Sequence, residues 1–330
     1  MNTFYRLAIL TLLLSFSVIL AGGIVRTTGS GMGCPDWPKC FGQYIPPTDI
    51  SQLPPNYKAI FKVKGKEIAD FDAFKTWVEY INRLLGAILG VAILLLTLFS
   101  VRLRKRDVWI TPLCIALLLV TGFVGWLGSV VVATDLEPVK ITIHMMTSIV
   151  IIALATTIVH RANLIRSASQ TKETIAPVTL TIPSVYFYIT ALVLFLTLAQ
   201  IILGTQVREQ IDTIAKMLEG RWREQWVEQL SQVFVVHRSL SWLVAFANGY
   251  LIWRIAKLVG LSSVKNALLL RRLAMALGSL IIGEIAIGVM MAYWAIPKAA
   301  QPLHLLCAML LIAVQWRVLI IFWTANRKKV

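Results

Sequence analysis

The sequence predicts an all-α integral membrane protein: eight transmembrane helices, built as two pseudo-symmetric four-helix bundles, with both termini in the cytoplasm. Three observations lead there. Of 330 residues, 58% are hydrophobic and only 15% charged, and the mean hydropathy is +0.75, whereas soluble domains are nearer half apolar and a quarter charged. The apolar residues gather in eight runs near the roughly 20 residues a helix needs to cross a bilayer. The two halves of the chain also carry short matching motifs in the same order. The apolar runs lack charged heptad flanks, which excludes disorder and coiled coil. They are continuous rather than alternating, which excludes barrel strands.

In chain order the spans are Leu7–Val25, Glu79–Val101, Val108–Ala133, Lys140–His160, Pro183–Val207, Phe234–Ile255, Leu273–Ala295 and Pro302–Thr324. The first is too long for a signal-peptide core. Arg26-Thr27-Thr28-Gly29 follows it instead of a small-x-small cleavage site, so it is expected to remain. Two outer connections are long, residues 26–78 and 208–233. Gly42–Lys75 is polar, contains Pro46-Pro47 and Pro54-Pro55, and reads as an irregular ordered cap or lid. Glu209–Ser231 sets Ile211, Ile214, Met217, Leu218, Trp222, Trp226 and Leu230 at helical spacing among charges. It is expected to be an amphipathic helix on the outer surface, with a solvated loop as the alternative.

A formal net charge of +16 raises the question of nucleic acid, and its distribution answers it. One side of the membrane holds Arg6, the Arg102–Arg106 cluster, Arg161, Arg166, Lys172, Arg254, Lys257, Lys265, Arg271, Arg272 and Arg327-Lys328-Lys329, against only Asp107 and Glu173. The other side nearly balances. Positive-inside bias makes the basic side cytoplasmic, with anionic lipid headgroups as its neighbours and no nucleic-acid partner.

The duplication pairs Gly22-Gly23-Ile24-Val25-Arg26 with Gly204-Thr205-Gln206-Val207-Arg208, Asn82-Arg83 with His237-Arg238, and His144-Met145 with His304-Leu305. Four spans per half is an even number, so both halves run the same way and their pseudo-twofold lies along the membrane normal. The halves are residues 1–172, with outer loop 26–78, and 173–330, with outer segment 208–233.

Four histidines are present. His160 ends span four beside Arg161 and reads as interfacial. His144, His237 and His304 stand in the first turns of even-numbered spans, at one depth near the outer face. A lone histidine there is ordinarily a satisfied polar residue, but ionisable groups inside spans are costly and usually functional. No pair has the i, i+4 spacing of a chelate on one helix and no HExxH occurs. Ligands on separate facing helices suit an iron porphyrin clamped axially. His237 and His304 form the intact pair, beside Gly204 and Gly288. The duplicate position has His144, Gly22 and Gly125, with Asn82 in place of histidine. Arg26, Arg83, Arg208 and Arg238 lie at the same depth, as forks for haem propionates or as headgroup anchors. Gln200, Thr121, Val18 and Glu284 each precede one of these glycines by four residues; the plain reading of Glu284 is an interhelical hydrogen bond.

These residues resemble the haem A synthase family of membrane enzymes. The run from Gly22 to Cys40, with Gly29-Ser-Gly-Met-Gly-Cys-Pro-Asp-Trp-Pro-Lys-Cys40 at its end, is similar to that family's signature after its first span. Glu79-Tyr80-Ile81-Asn82-Arg83 resembles its E-x-x-H-R motif, and Gln200-Ile-Ile-Leu-Gly204 its Q-x-x-L-G. The resemblance covers essentially the whole chain. It implies a permanent haem b between His237 and His304, and a substrate site for haem O in the first half with His144 on its iron. The implied reaction oxidises a porphyrin methyl to a formyl group through successive hydroxylation and loss of water. Haem O synthase, cytochrome oxidase assembly factors and a homo-oligomer are the implied partners, in a bacterial inner membrane with the haem sites toward the outer face. Two departures stand out: Asn82 replaces the motif's histidine, and the second outer loop lacks a cysteine pair.

Glu79 precedes Asn82 by three residues and Arg83 by four, so all three can share a helix face. It is either a catalytic group at the substrate methyl or half of a structural ion pair. Cys34 and Cys40 lie on the oxidising side, which favours a disulfide. Their spacing matches no C-x-x-C site, and a redox clasp and a structural staple both remain open. Cys114 and Cys307 lie inside spans as packing residues. A membrane haem b electron carrier is the alternative function. A transporter is disfavoured by the parallel repeat and by polar groups crowding the outer leaflet.

Overall fold

The computed structural model describes residues 2–170, 182–260 and 267–327. Lys172, Glu173, Lys265, Lys328 and Lys329 of the charge argument, and the boundary at 172/173, lie outside the described residues. The helices are α1 Asn2–Thr27, α2 Tyr57–Ile60, α3 Ala73–Ser100, α4 Ile110–Ala133, α5 Pro138–Gln170, α6 Val185–Met217, α7 Gln232–Gly260, α8 Ala267–Tyr293 and α9 Ala300–Arg327. All but the one-turn α2 are long and apolar enough to cross a membrane. Among the described residues the only β-type pairings are two isolated bridges, Cys40–Gln43 and Val63–Lys66.

Most helices overrun their apolar runs. Helices α5 and α6 have 33 residues each, about 50 Å at 1.5 Å per residue, against a hydrocarbon core of about 30 Å. Their ends therefore stand in the headgroup or aqueous layers. Helix α3 begins at Ala73, where the Asp72 side chain accepts from the Lys75 amide at 3.1 Å. Glu79 thus sits almost two turns inside the helix rather than at its start.

The chain divides into two compact units: Met1–Arg166 with Gln301–Leu305, and Ser167–Ala300 with Leu306–Val330. In the first, α3 buries Leu89, Ile93 and Leu96, α4 buries Ile110, Cys114 and Leu117, and α5 buries Ile151, Ala155, Ile158 and Ala162, closed by Phe4 and Ala8 of α1. Lipid is as apolar as these side chains, so shape rather than hydrophobicity selects the inward face. Small residues such as Ala8, Ala155 and Ala162 let helices approach closely. Other faces of the same helices expose Leu94, Leu98 and Leu119, as a lipid-facing surface requires. His160, expected at the membrane interface, is 6% exposed on α5 and so packs against protein.

The second unit buries Leu251, Ile255 and Leu258 of α7, Leu270, Ala274 and Leu277 of α8, and Val318, Ile321 and Phe322 of α9. It adds a buried polar tie. Gln315 Nε2 of α9 donates to Thr197 Oγ1 of α6 at 2.9 Å and to Asn248 Oδ1 of α7 at 3.0 Å.

Each unit carries a cap between its first two membrane helices. The first is ordered around the Cys34–Cys40 disulfide, with Phe41 edge-on to Tyr57, Phe61 and Phe71 at centroid distances of 6.2, 5.5 and 5.6 Å. The second corrects the expected surface helix. The helical spacing was real, but residues 209–217 continue α6 without a break, and the chain then returns through turns and a short 3-10 helix, Arg223–Gln225. Ile211, Ile214 and Trp226 are buried with Ile296, whereas Met217 and Trp222 are 67% and 59% exposed. The apolar face is used up inside the cap instead of lying on lipid. The turn before the last helix of each unit places two consecutive non-glycine residues at positive φ: Asp135 and Leu136 (52° and 58°), and Ala295 and Ile296 (52° and 48°).

Candidate functional site

In the first unit, the last turns of α1 reach two other helices. A Cβ on Gly22 would lie 3.9 Å from Asn82 Oδ1 of α3. Arg26 Nη1, one turn on, contacts Met145 Sδ of α5 at 3.6 Å, beside His144. Helix α4 approaches the same imidazole, with a Cβ on Gly128 falling 3.5 Å from His144 Cε1. At Gly125, which the sequence offered as a place for a flat macrocycle to approach, a Cβ would meet nothing within 4 Å. Gly128, one turn later, makes the contact; its i, i+3 relation to Gly125 was the available signal. Asn82 Oδ1 is buried and without a hydrogen-bond partner among the described residues. His144 Nδ1 is buried without a hydrogen bond of good geometry, although the Val124 carbonyl of α4 is within electrostatic reach.

Glu79 and Arg83 are brought together, and they join the cap. The Arg83 Nη2 to Glu79 Oε1 distance is 2.5 Å, with both side chains largely buried. Glu79 Oε2 accepts from the Cys34 amide at 2.8 Å. Arg83 donates to Glu79 through Nε as well, and to the carbonyls of Asp36 at 2.6 Å, Lys39 at 3.0 Å and Cys34 at 2.9 Å. All five guanidinium N–H donors are therefore taken by the protein itself. That differs from the propionate pairing expected of Arg83, because the cap backbone, invisible to sequence spacing, supplies the acceptors. Gly33 permits the docking: a Cβ there would lie 2.4 Å from the Lys75 carbonyl oxygen, and Thr76 Oγ1 donates to the Gly33 carbonyl at 2.9 Å. The first turn of α9, which carries His304, also belongs to this unit. A Cβ on Gly23 would come within 2.9 Å of Pro302.

In the second unit, Gly204 of α6 faces His237 of α7, with a built Cβ 3.2 Å from His237 Cε1. Gln200, one turn earlier, donates through Nε2 to the His237 carbonyl at 3.0 Å. A glycine of each unit's first helix is thus set against residue 82 or residue 237, the positions matched between the sequence motifs. Arg208 pairs with Asp212 at 2.7 Å, and the exposed Arg238 lies over the Phe234 ring at 5.7 Å. Gly288 and Glu284 lie on α8, both partly buried. Arg223, which sequence reasoning passed over, donates to the carbonyls of Ala295 and Ile296 and stacks on Trp226 at 4.7 Å. Partial burial lowers its pKa from the ordinary arginine value.

Fold and site define a polytopic helical membrane protein of two units, each pressing a glycine of its first helix against a polar position of its second. The chain belongs to the cytochrome oxidase assembly protein family, COX15-CtaA, whose model matches residues 5–316. It is 29% identical over 222 residues to the protein named Heme A synthase in Shewanella oneidensis, covering 65% of this chain and 61% of that one. It is 32% identical over 161 residues to the Heme A synthase of Bartonella bacilliformis, covering 44% of each. The matched stretches thus span 61% and 44% of these relatives' length.

Proposed function

We propose that this chain is a haem A synthase, oxidising a methyl group of haem O to the formyl group of haem A for cytochrome oxidase assembly. The observation that carries this reading is the family match across residues 5–316; the name of the S. oneidensis relative supports it. The residues fit a porphyrin. Imidazoles stand on the outer turns of membrane helices, Gly204 and Gly128 leave room beside His237 and His144, and Asn82 Oδ1 is a buried polar atom lacking a partner among the described residues.

In this reading His237 and His304 hold a resident haem b, beside Gly204 and Gly288, and His144 holds the iron of the substrate haem. Bound there, haem supplies the redox chemistry for two successive hydroxylations of one methyl carbon and loss of water. Arg26, Arg208 and Arg238 attract the propionates at the outer ends of α1, α6 and α7. Glu79 acts through Arg83 and Cys34, seating the cap above the first-unit site and excluding water. This positioning role fits its geometry better than proton acceptance does, because both carboxylate oxygens are engaged. The two halves form a parallel repeat in a bacterial inner membrane, with cytoplasmic termini and haem sites toward the outer face. Haem O synthase supplies the substrate, and oxidase assembly factors receive the product.

A membrane b-type haem carrier is the second reading, favoured by Asn82 at the position matching His237. Expression with a haem O source in cells lacking haem A, followed by pigment extraction, separates the two. Formation of haem A supports the enzyme, and bound haem b without conversion supports the carrier.

A further inference from the structure

The two units differ at the matched positions 82 and 237, and the difference bears on what can approach a haem. In the second unit Gly204 presses on an imidazole, His237; in the first, Gly22 lies against a carboxamide, Asn82. A carboxamide nitrogen has its lone pair delocalised into the carbonyl and is not an axial ligand of the imidazole kind. It offers instead two N–H donors and a carbonyl acceptor. It is also shorter than an imidazole, so from the same helix position it leaves space for a small molecule. Asn82 is not consumed by the cap that binds both its neighbours on that face. Glu79 and Arg83 point their polar atoms to Cys34, Asp36 and Lys39, whereas Asn82 Oδ1 is buried with no partner among the described residues. An orphaned buried amide oxygen is unfavourable, and it persists here beside a glycine that gives it room.

We infer that Asn82 makes the first-unit site a single-histidine haem site, with His144 as its one protein ligand and the opposite coordination position open to a small exogenous ligand that the Asn82 amide hydrogen-bonds. The resident haem of that reading, with imidazoles at both matched positions, is closed to such ligands. This rests on the haem-binding reading above and deepens it: one half is built for electron transfer, the other for small-molecule access, the choice that axial ligation and distal polarity govern.

Carbon monoxide is the probe. The full chain, purified in detergent and loaded with haem b and haem O, is reduced and titrated with carbon monoxide. About half of the bound haem is expected to be high-spin and to bind it, and the remainder to stay low-spin and inert. Asn82→His should abolish the reactive fraction and convert its spectrum to low-spin. His144→Ala should remove the reactive fraction. Asn82→Leu should keep it while moving the carbonyl stretch to higher wavenumber, through loss of the hydrogen bond. Wild-type protein whose haem is wholly low-spin and inert overturns the inference, whatever the variants do, as does a reactive fraction indifferent to His144→Ala. Haem A formation is assayed on the same preparations. A reactive fraction without haem A sinks the enzymatic reading and leaves the single-histidine site standing; haem A from an inert, low-spin protein does the reverse.

Discussion

Glu79 and Arg83, one turn apart on α3, hold Cys34 by both of its backbone polar groups: Glu79 accepts from its amide at 2.8 Å and Arg83 donates to its carbonyl at 2.9 Å. A disulfide loop and a membrane helix are joined there by a buried ion pair. Removing one partner of such a pair strands the other charge, at a cost of about 3–5 kcal/mol. Arg83→Met and Glu79→Gln should each lower the thermal midpoint markedly in detergent. The double variant should lose clearly less than the sum of the two, and additive losses would contradict the coupling.

Gly33 allows the approach of the cap to α3. Gly33→Ala introduces a methyl 2.4 Å from a backbone oxygen that cannot step aside, an overpacking cost of about 1–3 kcal/mol. Proteolysis at Lys62, Lys64 and Lys66 should speed up in that variant. Gly86→Ala, with nothing within 4 Å of the new methyl, should be neutral or slightly stabilising.

Gly204→Ala places a methyl 3.2 Å from His237 Cε1, whereas Gly128→Ala places one at 3.5 Å from His144. The first crowds the ring and the second is ordinary contact. The low-spin signal assigned to His237 should weaken or shift in Gly204→Ala and stay near wild type in Gly128→Ala. Equal effects of the two would break the link between glycine spacing and ligand placement.

Gln315 Oε1 is buried without a partner among the described residues, while its Nε2 serves both Thr197 and Asn248. Asn248→Leu should destabilise by about 1 kcal/mol, a typical interhelical hydrogen bond in a membrane. Adding Gln315→Leu removes the stranded amide, leaving Thr197 Oγ1 bonded to the Val193 carbonyl, and should recover part of the loss. Unfolding titrations in mixed micelles give the comparison.

In the cap, Lys58 and Asp70 pair at 2.5 Å. The Lys58 hydrogen bond and charge hold the Asp70 carboxyl below its ordinary value of 3.8. A lowered carboxylate pKa adds stability above the unfolded value, lost as pH falls through the folded one. Cap protection from an acid-active protease should therefore drop below about pH 4, with a shallower slope in Asp70→Asn. The pair is exposed, so the slope is small.

The residues of the candidate site stood out in the sequence because their signals are local. Histidines in the first turns of apolar runs, glycines at matched offsets and cysteines flanking Pro-Asp-Trp-Pro-Lys need no partner to be noticed. Arg83 was different. Its depth and charge suited a propionate, but its acceptors are backbone carbonyls 44 to 49 residues away, and carbonyls leave no trace in composition. The segment after Val207 is helical only as far as Met217 and continues the span before it, because periodicity tells a helix's face and not where it ends or whether it joins its neighbour.

By itself, then, the sequence determined eight apolar helices, matching motifs in its two halves, three histidines in the first turns of apolar runs and the asparagine at the position matching His237. Hydropathy and periodicity are properties of neighbouring residues, and the bilayer demands both. Only the tertiary structure decided that Arg83 and Glu79 grip Cys34, that Gly33 and Gly128 are the close-approach glycines, that the second cap folds on its own apolar face, and that Gln315 ties three helices. Those depend on which distant atoms meet once the chain is closed, a matter of shape and of unsatisfied backbone groups that no local pattern encodes.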